Sequence, residues 1–185
     1  MLYSESRNKL QVEKPGSMRF FEVVEIRQSV RKYAERAVEP GKLQAILEAA
    51  NRAPSAGNCQ SYEIYVVSGA KSRAALAAAT WEQDFVGQAP VSLVFCTHPA
   101  RCQYAPAETY ALEDASIACT FAMLAATALG LSSCWVGAFK AEAVSQVLGC
   151  SPGIVPVAIL PIGYAAEEPE RTTRRELEDL VHRVS

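Results

Sequence analysis

Glu108-Thr-Tyr-Ala-Leu-Glu-Asp-Ala-Ser-Ile-Ala-Cys-Thr-Phe-Ala-Met-Leu-Ala-Ala-Thr-Ala-Leu129 is the longest stretch of the chain that reads as one helix. From Ala115 onward only Ser116, Thr120 and Thr127 interrupt its apolar surface, and a helix that is apolar nearly all round must be covered on nearly all sides. It does not read as a membrane span: its uninterrupted apolar runs fall well short of roughly 18 residues, and Glu113 and Asp114 stand in its first turns. A chain of 185 residues can build a domain around such a helix but covers it fully only with difficulty. Part of its surface is therefore expected to be covered by a second copy of the chain.

Working outward, Leu43, Ile46, Leu47 and Ala50 recur at helical spacing behind Pro40, and the run stops before Pro54, which predicts a helix over residues 40–52. Tyr62-Glu-Ile-Tyr-Val-Val67 has the β-branched and aromatic content of a strand, with a helix following over residues 71–79. Residues 91–96 read as a second strand, 132–136 as a third and 140–148 as a helix. A fourth strand over residues 155–162 carries Pro156 and Pro161, which favour a sheet edge or a strand end. Helices and strands mixed around one central apolar helix give an α+β sandwich. No repeat, linker or low-complexity segment divides it, so a single domain is expected over residues 18–185. Residues 1–17, with Glu5, Arg7, Lys9, Glu13 and Lys14, read as a flexible N-terminal arm without the apolar core of a secretory signal.

Composition narrows the chemistry. A net charge of −2 provides no field to draw the protein onto nucleic acid or an anionic membrane, so small-molecule chemistry is favoured. Six cysteines form no Cys-x-x-Cys pair and only His98 and His182 could join them, so zinc and iron–sulfur spacing is absent and no metal is expected. Cys96, Cys119 and Cys134 sit in apolar runs as small core residues, and reduced thiols imply a cytoplasmic protein. Cys59 lies in a polar loop, where it either fills space or approaches a ligand. No Gly-x-Gly-x-x-Gly follows a strand, and neither a P-loop nor a Gly-x-Ser-x-Gly elbow occurs, which removes the usual signatures of Rossmann, phosphoryl-transfer and hydrolytic sites.

Two segments carry positive signals. Arg27-Gln-Ser-Val-Arg31-Lys-Tyr33 follows a short amphipathic run (Phe20, Phe21, Val23, Val24, Ile26) and offers two guanidinium groups four residues apart with a hydroxyl between them. Taken alone they also suit solvated surface charges. Forked donors nevertheless match phosphate oxygens in pairs, and a hydroxyl with backbone amides can complete the cradle. Ala53-Pro-Ser-Ala-Gly-Asn-Cys-Gln60 crowds Ser55, Asn58 and Gln60 into a loop marked by Pro54 and Gly57.

These motifs, with Gln83-Asp-Phe-Val-Gly-Gln-Ala-Pro90, Gly130-Leu-Ser-Ser-Cys-Trp-Val-Gly-Ala-Phe139 and Pro161-Ile-Gly-Tyr164 in the same order, resemble the nitroreductase-like family of FMN-dependent oxidoreductases across roughly residues 18–182. Ser61 and Tyr62 depart from it, standing where family members usually carry Pro and Trp. The resemblance implies a three-layer α/β/α sandwich with a central, mostly antiparallel sheet, subunits interlocked as a homodimer, and an FMN site in each subunit interface.

Carried over residue by residue, it places Arg27, Gln28, Ser29 and Arg31 along the phosphate, ribityl and pyrimidine edge of FMN. Arg31 lies where negative charge gathers after reduction, and Gln83 faces the pyrimidine ring. Arg174 would join the phosphate, with Arg171 and Arg175 as alternatives. Pro54, Ser55, Ala56 and Asn58 would come from the partner subunit, and a backbone amide of Val136 or Gly137, within Trp135-Val-Gly-Ala138, would meet flavin N5. Trp135 and Phe139 also suit plain core packing. Tyr104 and Tyr110, in the variable segment 99–110, are candidates to stack on an aromatic substrate, and Asp114 reads as a cap or a solvated first-turn charge.

The implied activity is two-electron transfer from NADH or NADPH, as transient co-substrate, through FMN to an electron-poor acceptor such as a quinone or nitroaromatic, by a ping-pong cycle. A non-catalytic FMN carrier or redox sensor, and a specialised flavin enzyme such as a reductive dehalogenase, are the alternatives.

Overall fold

Successive side chains of a strand face opposite sides of a sheet, and the two central strands here bury both faces. The computed structural model describes residues 19–184; the arm expected over residues 1–17 lies outside the described residues. In chain order the elements are α1 (Phe20–Ile26), α2 (Pro40–Asn51), β1 (Tyr62–Val67), α3 (Ala70–Ala78), α4 (Phe85–Gln88), β2 (Val91–Thr97), α5 (Ala107–Ala128), β3 (Ser132–Ser133), α6 (Ala141–Leu148) and β4 (Val155–Gly163). The sheet runs β1-β2-β4-β3 with every pairing antiparallel.

From β2, Val91, Leu93 and Phe95 join Ala158, Leu160 and Ile162 of β4 on one face, where α2 and α5 pack through Ile46, Ala50, Ala115, Ala118, Cys119 and Ala122. Val94, Cys96 and Ile159 point to the other face, against Leu76 of α3, Val86 of α4 and Val144 of α6. The result is the expected three-layer α+β sandwich.

Two sequence readings need correction. β4 is not an edge strand, because it lies between β2 and β3, and the third strand is not continuous over residues 132–136. The interruption has its cause in Pro161. Ser133 pairs with Ile162, and Val136 exchanges both backbone bonds with Ile159 at 2.9 Å each, in the same register, so Cys134 falls opposite Pro161. Backbone groups two residues apart point the same way, so Pro161 stands at the next hydrogen-bonded position of this ladder without an N–H to give. Its carbonyl takes the Tyr33 hydroxyl at 3.2 Å instead. The ladder is thereby split into β3 and an isolated bridge. Pro156 is accommodated beside the register shift at Phe95/Cys96.

α5 is sealed along Ala111, Ala115, Ala118, Ala122 and Ala126 but leaves Leu112 and Phe121 exposed. By length and composition it could cross a membrane; in the fold it is the core helix of the α2/α5 layer. α1 adds Phe20, Phe21, Val24 and Ile26 as exposed apolar side chains.

Candidate active site

Residues 28–34 form a rim beside β3. Val30 N–H donates to the Ser133 carbonyl at 3.1 Å, Ser29 bridges Ser133 in parallel, and Ala34 N–H reaches the Tyr164 carbonyl at 2.8 Å. Buried Tyr33 anchors the rim, its hydroxyl donating to the Val30 carbonyl at 2.8 Å as well as to Pro161. Burial, reinforced by Cys134 and Glu167 and opposed by Arg31, holds its phenol well above the usual range, so it is a neutral donor.

The rim gathers the expected cradle. Burial raises the Cys134 thiol, while Arg31, the Ser29 hydroxyl and Arg27 pull the other way. Arg27 and Gln28 also line a cavity of about 260 Å³ with Thr127, Leu131, Ser132 and Glu167. Glu167, which the sequence did not single out, accepts the Arg31 backbone N–H. Among the described residues neither the Arg27 nor the Arg31 guanidinium has a carboxylate within salt-bridge distance. Among the described residues the buried Gln28 Oε1 and Ser133 Oγ have no hydrogen-bond partner. Two free forks and two orphaned polar atoms on one rim are the donor and acceptor set that a phosphorylated, polyhydroxylated cofactor such as FMN would satisfy.

Beyond β3, the two candidate amides differ in their partners. Val136 N–H is committed to Ile159, so it is not free to meet a flavin nitrogen. Gly137 is exposed, and among the described residues its N–H has no partner. Gln83 Nε2 donates to the Ala138 carbonyl at 2.6 Å, while Thr80 bridges Phe139, so the loop before α4 is fixed to the ledge. Trp135 packs against the α2/α5 core and is half-buried.

The loop over residues 53–60 is not joined to this rim by any described hydrogen bond. Gly57, Asn58 and Gln60 all adopt positive φ, at 54°, 58° and 48°, in a region unfavourable to non-glycine residues. What holds them is Asp114, and here the reading of a cap or solvated charge is corrected. Only 1% exposed, its carboxylate accepts the Ala56 N–H at 2.8 Å and the Ser61 N–H at 3.1 Å. Ser55 Oγ accepts the Gln60 N–H at 3.0 Å. An acid at the edge of an apolar run was the visible signal, but its partners lie 58 and 53 residues away.

Tyr104 lies flat against Gly57, where any Cβ would collide with its ring, and meets Tyr110 edge-on at 6.3 Å. The two tyrosines therefore belong with the 53–60 loop. Arg174 and Arg175 are not brought to the cradle: Arg174 bonds the Thr172 and Thr173 carbonyls and Arg175 the Asp179 carbonyl, while Arg171 approaches Glu25 at 3.9 Å.

The fold is an α+β sandwich, and its rim presents Arg27 and Arg31 without a carboxylate partner among the described residues. The Nitroreductase family model matches residues 24–98 and 78–164, and the chain belongs to that family of enzymes. It is 31% identical to an NADH dehydrogenase of Thermus thermophilus, covering 84% of this chain and 91% of the relative. It is 28% identical to an FMN reductase [NAD(P)H] of Bacillus subtilis, covering 83% and 69%. Among solved structures, a nitroreductase family protein from Clostridium novyi superposes with a TM-score of 0.77 at 28% identity, over 84% of this chain and 89% of that one.

Proposed function

We propose that the protein is an FMN-dependent NAD(P)H oxidoreductase that passes two electrons to an electron-poor acceptor by a ping-pong cycle. The observation that carries this reading is that the segment bearing Arg27 and Arg31, which have no carboxylate partner among the described residues, is bridged to Ser133, four residues before the Gly137 amide that has no partner among the described residues. Bound FMN would supply the chemistry, taking hydride from a nicotinamide and releasing electrons to the acceptor.

The chain's residues supply the rest. Arg27 and Ser29 would bind the phosphate and ribityl chain, Gln28 would give its orphaned oxygen to a ribityl hydroxyl, and Arg31 would hold a fixed positive charge at the pyrimidine edge. Gln83, clamped to Ala138, and the Gly137 amide would orient the ring. Arg174 or Arg175 would join the phosphate only by moving from their present partners.

The site is proposed to be completed by a second copy. The 53–60 loop is tied to Asp114, whereas the cavity beside Arg27 is lined by Thr127. Those two positions lie about 20 Å apart along α5 at ~1.5 Å per residue. A two-fold axis crossing the exposed face of α5 near Phe121 would exchange these ends and bring Pro54, Ser55, Ala56 and Asn58 of one copy toward the cradle of the other. A homodimer also covers the apolar side chains left open on α1 and α5. The reduced thiols and near-neutral charge suit a cytoplasmic enzyme.

Mass spectrometry of the ligand released from the purified or flavin-reconstituted protein tests the reading. FMN is expected; FAD, or no flavin retained after reconstitution, contradicts it.

A further inference from the structure

A cleft of about 740 Å³ opens where β2 and β4 end, lined by Gly137 and Phe139 on one side and Thr97, His98 and Glu108 on the other. His98 and Glu108 are the ionisable side chains of this lining. The His98 Nδ1 lies 2.7 Å from Glu63 Oε1 of β1, and Arg101 approaches the same oxygen at 3.7 Å. Among the described residues Nε2 has no hydrogen-bond partner. Glu63 thus fixes the ring orientation, with Arg101 on the same carboxylate oxygen, and Glu108 is the further charged group facing the cleft. A carboxylate on one ring nitrogen with the other left free is the arrangement of an imidazole acid.

Resting on the functional reading above, we propose that His98 donates a proton to the oxygen of a quinone-type or nitro-type acceptor lying in this cleft, with Glu63 as its positioning residue. Reduction of a quinone by hydride brings two electrons and one hydrogen to the acceptor, and a second hydrogen must arrive as a proton on oxygen. The Nε2–H bond breaks, an O–H bond forms on the acceptor, and the neutral ring recovers a proton from solvent. Glu63 keeps Nδ1 engaged throughout and so holds Nε2 toward the cleft.

The test uses the flavin-loaded protein and separates the two half-reactions. His98→Gln is expected to leave reduction by nicotinamide at the parent rate and to slow reoxidation by a quinone by about 10²-fold, the lower end of what a positioned general acid contributes. Glu63→Gln should give a smaller loss in the same step. Ferricyanide, which takes electrons without a proton, should reoxidise parent and variant alike. A readout independent of turnover is available because the chain has only two histidines: adding a hydroquinone should shift the ring C–H resonances of His98 and not those of His182. Equal quinone reoxidation in His98→Gln and parent, a loss shared with ferricyanide, or an unmoved His98 resonance overturns the assignment. Failure of either nicotinamide to reduce the protein overturns the functional reading, and this assignment with it.

Discussion

Replacing Asp114 by Asn removes the charge that holds the 53–60 loop while preserving size. The carboxylate accepts two backbone N–H groups, from Ala56 and Ser61, and is 1% exposed. A hydrogen bond to a charged group is worth about 1.5–3 kcal/mol, and a buried donor left unpaired costs roughly 1–3 kcal/mol. Asparagine keeps one acceptor but turns an NH₂ toward the second N–H, so a loss of about 2–3 kcal/mol is expected; alanine, leaving both donors unpaired, should lose about 3–6 kcal/mol. For a chain of this size each kcal/mol moves Tm by about 2–4 °C, which puts Asp114→Asn some 5–10 °C below the parent. Thermal melting followed by circular dichroism measures this. Hydrogen exchange adds the local signature: the Ala56 and Ser61 amides should lose protection well before those of β2. A Tm within about 2 °C of the parent, with both amides still protected, would refute the clamp.

Arg27→Ala and Arg31→Ala should each weaken flavin binding by about 1.5–3 kcal/mol, roughly 10- to 150-fold in Kd by fluorescence titration, and Arg31→Ala should also lower the midpoint potential by some tens of millivolts; an unchanged potential removes the charge role. Gly57→Ala, at φ 54° and against the Tyr104 ring, should cost about 1–3 kcal/mol in urea unfolding, and adding Tyr104→Ala should restore part of it; no rescue would mean the ring is not the obstacle. Glu39 is held at about 2, below its ordinary 4.5, first by the Tyr164 hydroxyl, then by its own backbone amide and Arg36. Its folded value lies below its unfolded one, so the stabilisation is complete above about 4.5 and fades as pH falls toward 2. Tyr164→Phe should flatten the fall of Tm across that window, and an unaltered slope would contradict the assignment.

The elements that depend on local pattern were legible in the sequence. The apolar runs of β2 and β4, the helical spacing behind Pro40 and the apolar run of α5 each report burial, and each appears close to where it was read. What escaped depends on pairing across the chain. Pro161 is visibly unable to donate, but only the register with Ser133 and Val136 shows that the gap falls opposite Cys134 and splits the third strand. The motif left Val136 and Gly137 equivalent, and the distinction comes from Ile159, which occupies one amide and not the other. Asp114 was visible as an anomaly, yet its role depends on loop amides more than fifty residues away. The phosphate arginine stays open because Arg174 and Arg175 bond only nearby residues within one chain.

The most direct test of the proposed redox function is anaerobic titration of the flavin-loaded protein with NADH and then NADPH, followed by its visible absorbance. Bleaching of the yellow colour with one equivalent of a nicotinamide, and its return on adding a quinone, is the expected result. Colour that persists with both nicotinamides would contradict a reductase and leave a flavin carrier or sensor in its place.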